Sequence, residues 1–164
     1  MIENPGEFAI NAMLCDSVST AEGKLFVHGG GWSSLGTPKF PFVQPRIGLA
    51  ILLSVPYSGT NKAIMLEIKL ENEDGEVVPL GPPQRIPDGS EERRPMGVGV
   101  QLTVPRMTAM PLGESQVVPL AVNLDQLVFQ SPGYYRFALS INGLLVERVP
   151  FRVLVPQQTI VRRG

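Results

Sequence analysis

Apolar residues recur at every second position along most of this chain. Over residues 62–71, Ile64, Leu66, Ile68 and Leu70 alternate with Met65, Glu67, Lys69 and Glu71. Successive side chains of a strand point to opposite faces, so this segment predicts a strand with one face in a core and one in water. The same period runs through Ile47, Leu49, Ile51, Leu53 and Val55, and through Val98, Val100, Leu102 and Val104. It returns in Val118, Leu120, Val122 and Leu124, and in Tyr135, Phe137, Leu139 and Ile141. No ten-residue stretch carries the helical period, and glycine (17) with proline (16) makes up a fifth of the 164 residues, enough to interrupt long helices. The expected fold is an all-β antiparallel β-sandwich, immunoglobulin-like or jelly-roll-like, of about eight or nine strands. It is read as one domain over residues 1–164, with short flexible termini.

Turn chemistry places the connections. Asn142-Gly143 is the strongest short hairpin signal, because both residues tolerate positive φ. Asn72, Glu73, Asp74 and Gly75 mark another hairpin, with Asp74 expected to set the turn. Residues 19–23 read as a polar connection between strands at 8–18 and 24–33. Residues 81–95 carry four prolines, with Asp88, Glu91, Glu92, Arg93 and Arg94 among their charged residues, so a long exposed loop is expected there. Pro119 has no backbone donor, which predicts an edge strand or a bulge. In the return strand a two-residue turn puts Leu144 and Val146 on the core face, yet Val149, Phe151, Val153 and Val155 have the opposite parity. An extra residue near Glu147 and Arg148 would reconcile the two, leaving Arg148 and Arg152 in solvent. The face opposite the apolar stripe of residues 47–55 carries Gly48, Ala50, Leu52 and Ser54, and the small residues among them suggest that another layer lies close over them.

Charge excludes several classes of partner. Fourteen basic and fifteen acidic residues, scattered to a net charge of −1, give no field to gather nucleic acid. The start, Glu3-Asn4-Pro5-Gly6-Glu7, lacks the apolar stretch of a secretory signal, and the longest apolar run falls short of a membrane span. A single cysteine, Cys15, excludes an intramolecular disulfide. These features predict a cytoplasmic protein without nucleic-acid or membrane partners. One histidine, one cysteine and four dispersed aspartates predict no metal site, and no cofactor motif is present.

The segment His28-Gly29-Gly30-Gly31-Trp32 carries the one chemical signal. His-Gly-Gly-Gly also forms the oxyanion hole of some esterases, where glycine amides face developing negative charge. That chemistry needs a Gly-x-Ser-x-Gly elbow and a separate histidine base; the chain has no such pentapeptide and His28 is its only histidine. No catalytic residue is therefore assigned. The structural reading is that the glycines let a strand end kink and let Trp32 lie close over backbone. The functional reading makes residues His28, Gly29, Gly30, Gly31 and Trp32 a small-ligand or peptide platform, with amide donors beside a stacking ring. A concave pocket beside an accessible Trp32 favours the second.

Leu14-Cys15-Asp16-Ser17-Val18, followed by Glu22-Gly23-Lys24-Leu25-Phe26-Val27-His28-Gly29-Gly30-Gly31-Trp32, resembles a family of uncharacterised bacterial proteins, common in actinobacteria. That family's hallmark is Asp-Gly-Lys-Leu-Tyr-Val-x-Gly-Gly-Gly-Trp. Glu22 and Phe26 replace the aspartate and the tyrosine. Pro132-Gly133-Tyr134-Tyr135-Arg136-Phe137 and Pro150-Phe151-Arg152-Val153 resemble the family's closing hairpin. The resemblance implies a small β-rich domain and supplies no reaction. Separately, Pro132-Gly133-x-Tyr135 is similar to the corner of immunoglobulin-like sandwiches in which a tyrosine ties down a loop. The functional expectation is a non-enzymatic interaction or scaffold module, with a protein partner or self-association, and a ligand-binding sandwich as the alternative.

Overall fold

The computed structural model describes residues 7–85, 87–89 and 92–156. Its strands are β1 (Ala9–Ala21), β2 (Lys24–Gly30), β3 (Ser34–Gly36), β4 (Phe42–Pro56), β5 (Ala63–Asn72), β6 (Val77–Val78), β7 (Gln84–Arg85), β8 (Glu92–Arg93), β9 (Val98–Thr103), β10 (Ser115–Phe129), β11 (Gly133–Ile141) and β12 (Leu144–Leu154). One sheet has the order β10-β4-β1-β2. The second has the order β3-β12-β11-β5-β6, with β9 pairing the other end of β5. The alternating stripes supply the inner faces: Ile47, Leu49, Ile51, Leu53 and Val55 of β4 meet Ile64, Leu66, Ile68 and Leu70 of β5 in one buried core with Phe129, Phe137 and Phe151. The fold is the expected β-sandwich.

Several local expectations hold for the reasons given. The Asn142-Gly143 turn has φ of 50° and 83°, the left-handed pair a tight hairpin requires. Pro119 lies on β10, at a sheet edge. Leu139 faces Glu147 while Ser140 faces Leu145, so Val146 is the extra residue of a bulge. Arg148 and Arg152 are exposed. The Tyr135 hydroxyl donates to the Ser131 carbonyl at 2.7 Å, which closes the corner that leads into β11. Replacing Tyr135 by phenylalanine removes that bond and is expected to cost about 1 kcal/mol, measured by denaturant unfolding.

Others are corrected. The strands exceed eight or nine, because short β3 and β6 pair at sheet margins and residues 81–95 contain the β7-β8 ribbon. The sandwich is not wholly antiparallel, since β3 runs parallel to β12. β1 and β2 are joined by two residues, Glu22 and Gly23, both at positive φ, and the strands continue through residues 19–21. Residues 24–33 are not one strand: β2 ends at Gly30 and the chain then crosses to the other sheet. Leu144 is 75% exposed at the hairpin tip, beyond the reach of the facing sheet, and Val155 is exposed past the end of β12. Asn72 sets its own turn, its Oδ1 accepting the amides of Asp74 and Glu76, so the turn does not depend on Asp74. The expectation of flexible termini falls on residues 1–6 and 157–164, outside the described residues.

The layer expected over β4 comes from the chain itself. β1 pairs with β4 only as far as Cys15 opposite Gly48. Beyond that point the β1-β2 hairpin bends over the outer face of the sheet, and Val18 and Leu25 pack with Cys15, Ala50 and Ala121 in a second small core. Asn123 of β10 bridges to the displaced strand. Its Oδ1 accepts the Val18 amide at 3.1 Å and its Nδ2 donates to the Val18 carbonyl at 2.8 Å, so one side-chain amide replaces a missing strand neighbour.

Candidate functional site

Residues 28–32 form the corner where the chain passes from β2 to β3. Gly29 and Gly31 sit at φ of 60° and 87°, and the Gly31 amide donates to the Leu14 carbonyl at 2.8 Å, which anchors the start of the crossing. A side chain on Gly29 would collide with the Asp16 carboxylate, and one on Gly30 would meet Val27 and Met13. Trp32 is half-buried between the layers, its ring edge-on to Phe151 at 6.2 Å, and its Nε1 is buried without an acceptor. Through Phe151 it joins an aromatic cluster with Phe129, Tyr135 and Phe137. Three glycines turn the corner and Trp32 plugs it.

His28 stands apart from that plug. It is exposed, opposite Ser17 on β1, and among the described residues it shares no hydrogen bond with a carboxylate or hydroxyl. The arrangement therefore brings Gly29, Gly30, Gly31 and Trp32 together as backbone and packing, and leaves His28 outside. Cys15 is fully buried on the far side of the same strand pair, and burial, with Asp16 adding to it, pushes its thiol above the ordinary range. Such a thiol is a poor nucleophile at neutral pH. Among the described residues, no three His, Cys, Asp or Glu side chains converge as metal ligands.

Two clefts lie away from this corner. One of about 310 Å³ runs between the turn at residues 72–76 and the corner at 130–135, and another of about 350 Å³ lies between Met107 and Val117. Neither is lined by residues 28–32. The loop beside the second is held by Arg106, which lies 3.7 Å over the Tyr57 ring and donates to Thr60 Oγ1 at 2.8 Å. Period and turn signals contain no trace of this clamp, because it depends on a short 3-10 turn, Tyr57–Gly59, meeting a loop about fifty positions away.

A feature that only the topology reveals is the seam on the side of the sandwich away from Trp32. The crossing at Trp32 joins edges β2 and β3 along one side. Along the other, β9 and β10 are both terminal strands, and residues 104–114 join them at one end. Their inward side chains, Val98, Val100 and Leu102 on β9 and Val118, Leu120 and Val122 on β10, are only partly buried against the core. This seam is closed at one end by Gly81 near the Asp125 carbonyl and at the other by Gln116 Nε2 donating to the Pro105 carbonyl.

The fold thus defines a small β domain built on two facing sheets. A family model described as a family of unknown function, DUF6941, matches residues 10–154, and the chain belongs to that family. No curated protein matches it. Among solved structures it is similar to part of an alkylpurine DNA glycosylase, AlkC of Pseudomonas fluorescens bound to DNA containing an abasic site analog, at 10% identity and a TM-score of 0.42. It is also similar to part of a β-glucosidase, EmGH1 of Erythrobacter marinus, at 11% identity and the same TM-score of 0.42. Each alignment covers 90% of this chain but only 30% and 15% of those chains. The chain spans under a third of either protein. Among the described residues no helix is long and apolar enough to cross a membrane.

Proposed function

We propose that this protein is a non-enzymatic interaction module, a β-sandwich that acts by holding another polypeptide. One observation carries the reading. The Gly-Gly-Gly-Trp segment is used in turning the chain between sheets, whereas on the opposite side β9, paired among the described residues only with β5, leaves its outer edge unpaired beside partly buried aliphatic residues. The ligand-platform alternative at residues His28, Gly29, Gly30, Gly31 and Trp32 has less support, because the Trp32 ring already packs edge-on against Phe151 and a small molecule would have to displace that contact.

The test uses an activated ester and the His28→Ala variant. Neither wild type nor variant is expected to turn the ester over above the buffer rate, and the variant is expected to unfold within about 0.5 kcal/mol of wild type, as an exposed site should. Turnover by the wild type that disappears with His28 would replace this reading with a hydrolase.

A further inference from the structure

We propose that the seam between β9 and β10 is a strand-accepting slot. A short extended segment of a partner protein, apolar at alternate positions, pairs with the free edge of β9 and lays those side chains over the seam between β9 and β10. The inference rests on the interaction-module reading and names its site and the chemistry of its partner.

The direction of the backbone groups follows from fixed hydrogen bonds. Met65 accepts the Asn142 amide at 2.9 Å and donates its own amide to Asn142 Oδ1 at 2.9 Å, so both its polar groups face β11. Polar groups alternate sides along a strand, so Ile64, Leu66 and Ile68 face β9. Their partners there are Leu102, Val100 and Val98, which leaves the amides and carbonyls of Gly99, Gln101 and Thr103 pointing away from the sheet. All three residues are exposed, and among the described residues no strand pairs with that side of β9.

The facing edge is blocked. Gly31 donates to the Leu14 carbonyl, so Leu14 faces β2 and Cys15 faces β4. Carried across β4 by the same alternation, the register turns Pro119 of β10 away from β4, toward the outer edge of its sheet. A proline there offers no donor, which protects an edge against pairing. β3 and β6 are three and two residues long, too short to template a strand. β9 has six residues and no proline. The longer β2 is a poorer template, because its Leu25 already packs into the small core.

The dimensions and chemistry of the seam select the occupant. Between its two closed ends it runs along residues 98–102, about 17 Å at roughly 3.3 Å per residue. One strand fits that length. A second folded copy would need about 800 Å² on each partner for a stable interface, more than a slot one strand wide offers. Residues 98–102 and 118–122 include no charged side chain, so the segment they take is apolar, neither basic nor acidic. The incoming strand hydrogen-bonds to Gly99 and Gln101, and every second side chain falls on Val98, Val100 and Leu102, as in other cases of strand addition.

Panning a displayed library of random nonapeptides against the full chain tests the proposal, with amide hydrogen exchange of wild type as the map. The expected result is enrichment of peptides apolar at alternate positions that slow exchange at Gly99 and Gln101 about tenfold or more. Gln101→Pro removes only an outward-facing amide and copies what Pro119 does on β10, so it should keep the thermal midpoint and weaken the selected peptides about tenfold. If that variant fails to fold, the exchange map of wild type decides alone. No enrichment of alternating peptides overturns the slot. Peptides that protect a different surface, such as β2, overturn the slot while leaving an interaction module standing, and ester turnover dependent on His28 overturns the module itself.

Discussion

Phe151→Ala should lower the unfolding free energy by about 3–5 kcal/mol and the thermal midpoint by roughly 10 °C. Phe151 is 2% exposed and central to the aromatic cluster. It stacks on Tyr135 at 5.9 Å and on Phe137 at 5.5 Å, and meets Phe129 and Trp32 edge-on. Truncation removes a buried ring and leaves a cavity whose walls come from β10, β11, β12 and the β2-β3 crossing, four segments that cannot all close in on it. Phe151→Leu should recover about half of the loss. A loss below about 1 kcal/mol, read from chemical denaturation, would mean that Trp32 is not seated against this ring.

The second large effect concerns Gly48, at the point where β1 leaves β4. A methyl group there would lie 2.6 Å from Cys15 Sγ and 3.3 Å from both the Cys15 carbonyl and Asn123 Oδ1. Gly48→Ala must therefore push apart the small core and the amide bridge to Val18 together, and overpacking of this kind costs about 1–3 kcal/mol. Because the nearest atom is the sulfur, Cys15→Ala should relieve part of the clash. The double variant is then expected to be more stable than the sum of the two single losses by about 1 kcal/mol, a coupling read from a double-mutant cycle. Additive losses would show that Gly48 and Cys15 do not share that space.

These two sites mark how far the sequence could be read. The stripes at Ile64 to Leu70 and at Ile47 to Val55 announced their strands because one face is buried and the other is wet, and Asn142-Gly143 announced its hairpin because few residues accept that φ. A bulge near Glu147 and Arg148 was legible through a parity conflict within one strand, and the fold puts the extra residue next to them, at Val146. The parallel pairing of β3 with β12 was not, since three residues carry too little pattern and their partners lie more than a hundred positions away. Gly48 and Ala50 indicated that something covers them, yet only the fold identified the β1-β2 hairpin as the cover. At the candidate site the motif itself stood out, whereas its role did not: the same three glycines suit an oxyanion hole and a chain reversal, and the difference lies in what surrounds His28. The seam left no local signal, because Val98 and Val118 read as ordinary core positions until the topology placed both at terminal edges.

The pairing of Ser34, Leu35 and Gly36 with Arg152, Val153 and Leu154 also bears on how the chain is made. A ribosome delivers residues 34–36 long before it delivers 152–154, so the early segment waits without its neighbour while most of the polypeptide is still being synthesised. During that interval the Trp32 ring has no Phe151 to rest against. The nascent chain then exposes an aromatic surface that disappears only with the final hairpin, and a protein truncated before residue 151 should aggregate during translation.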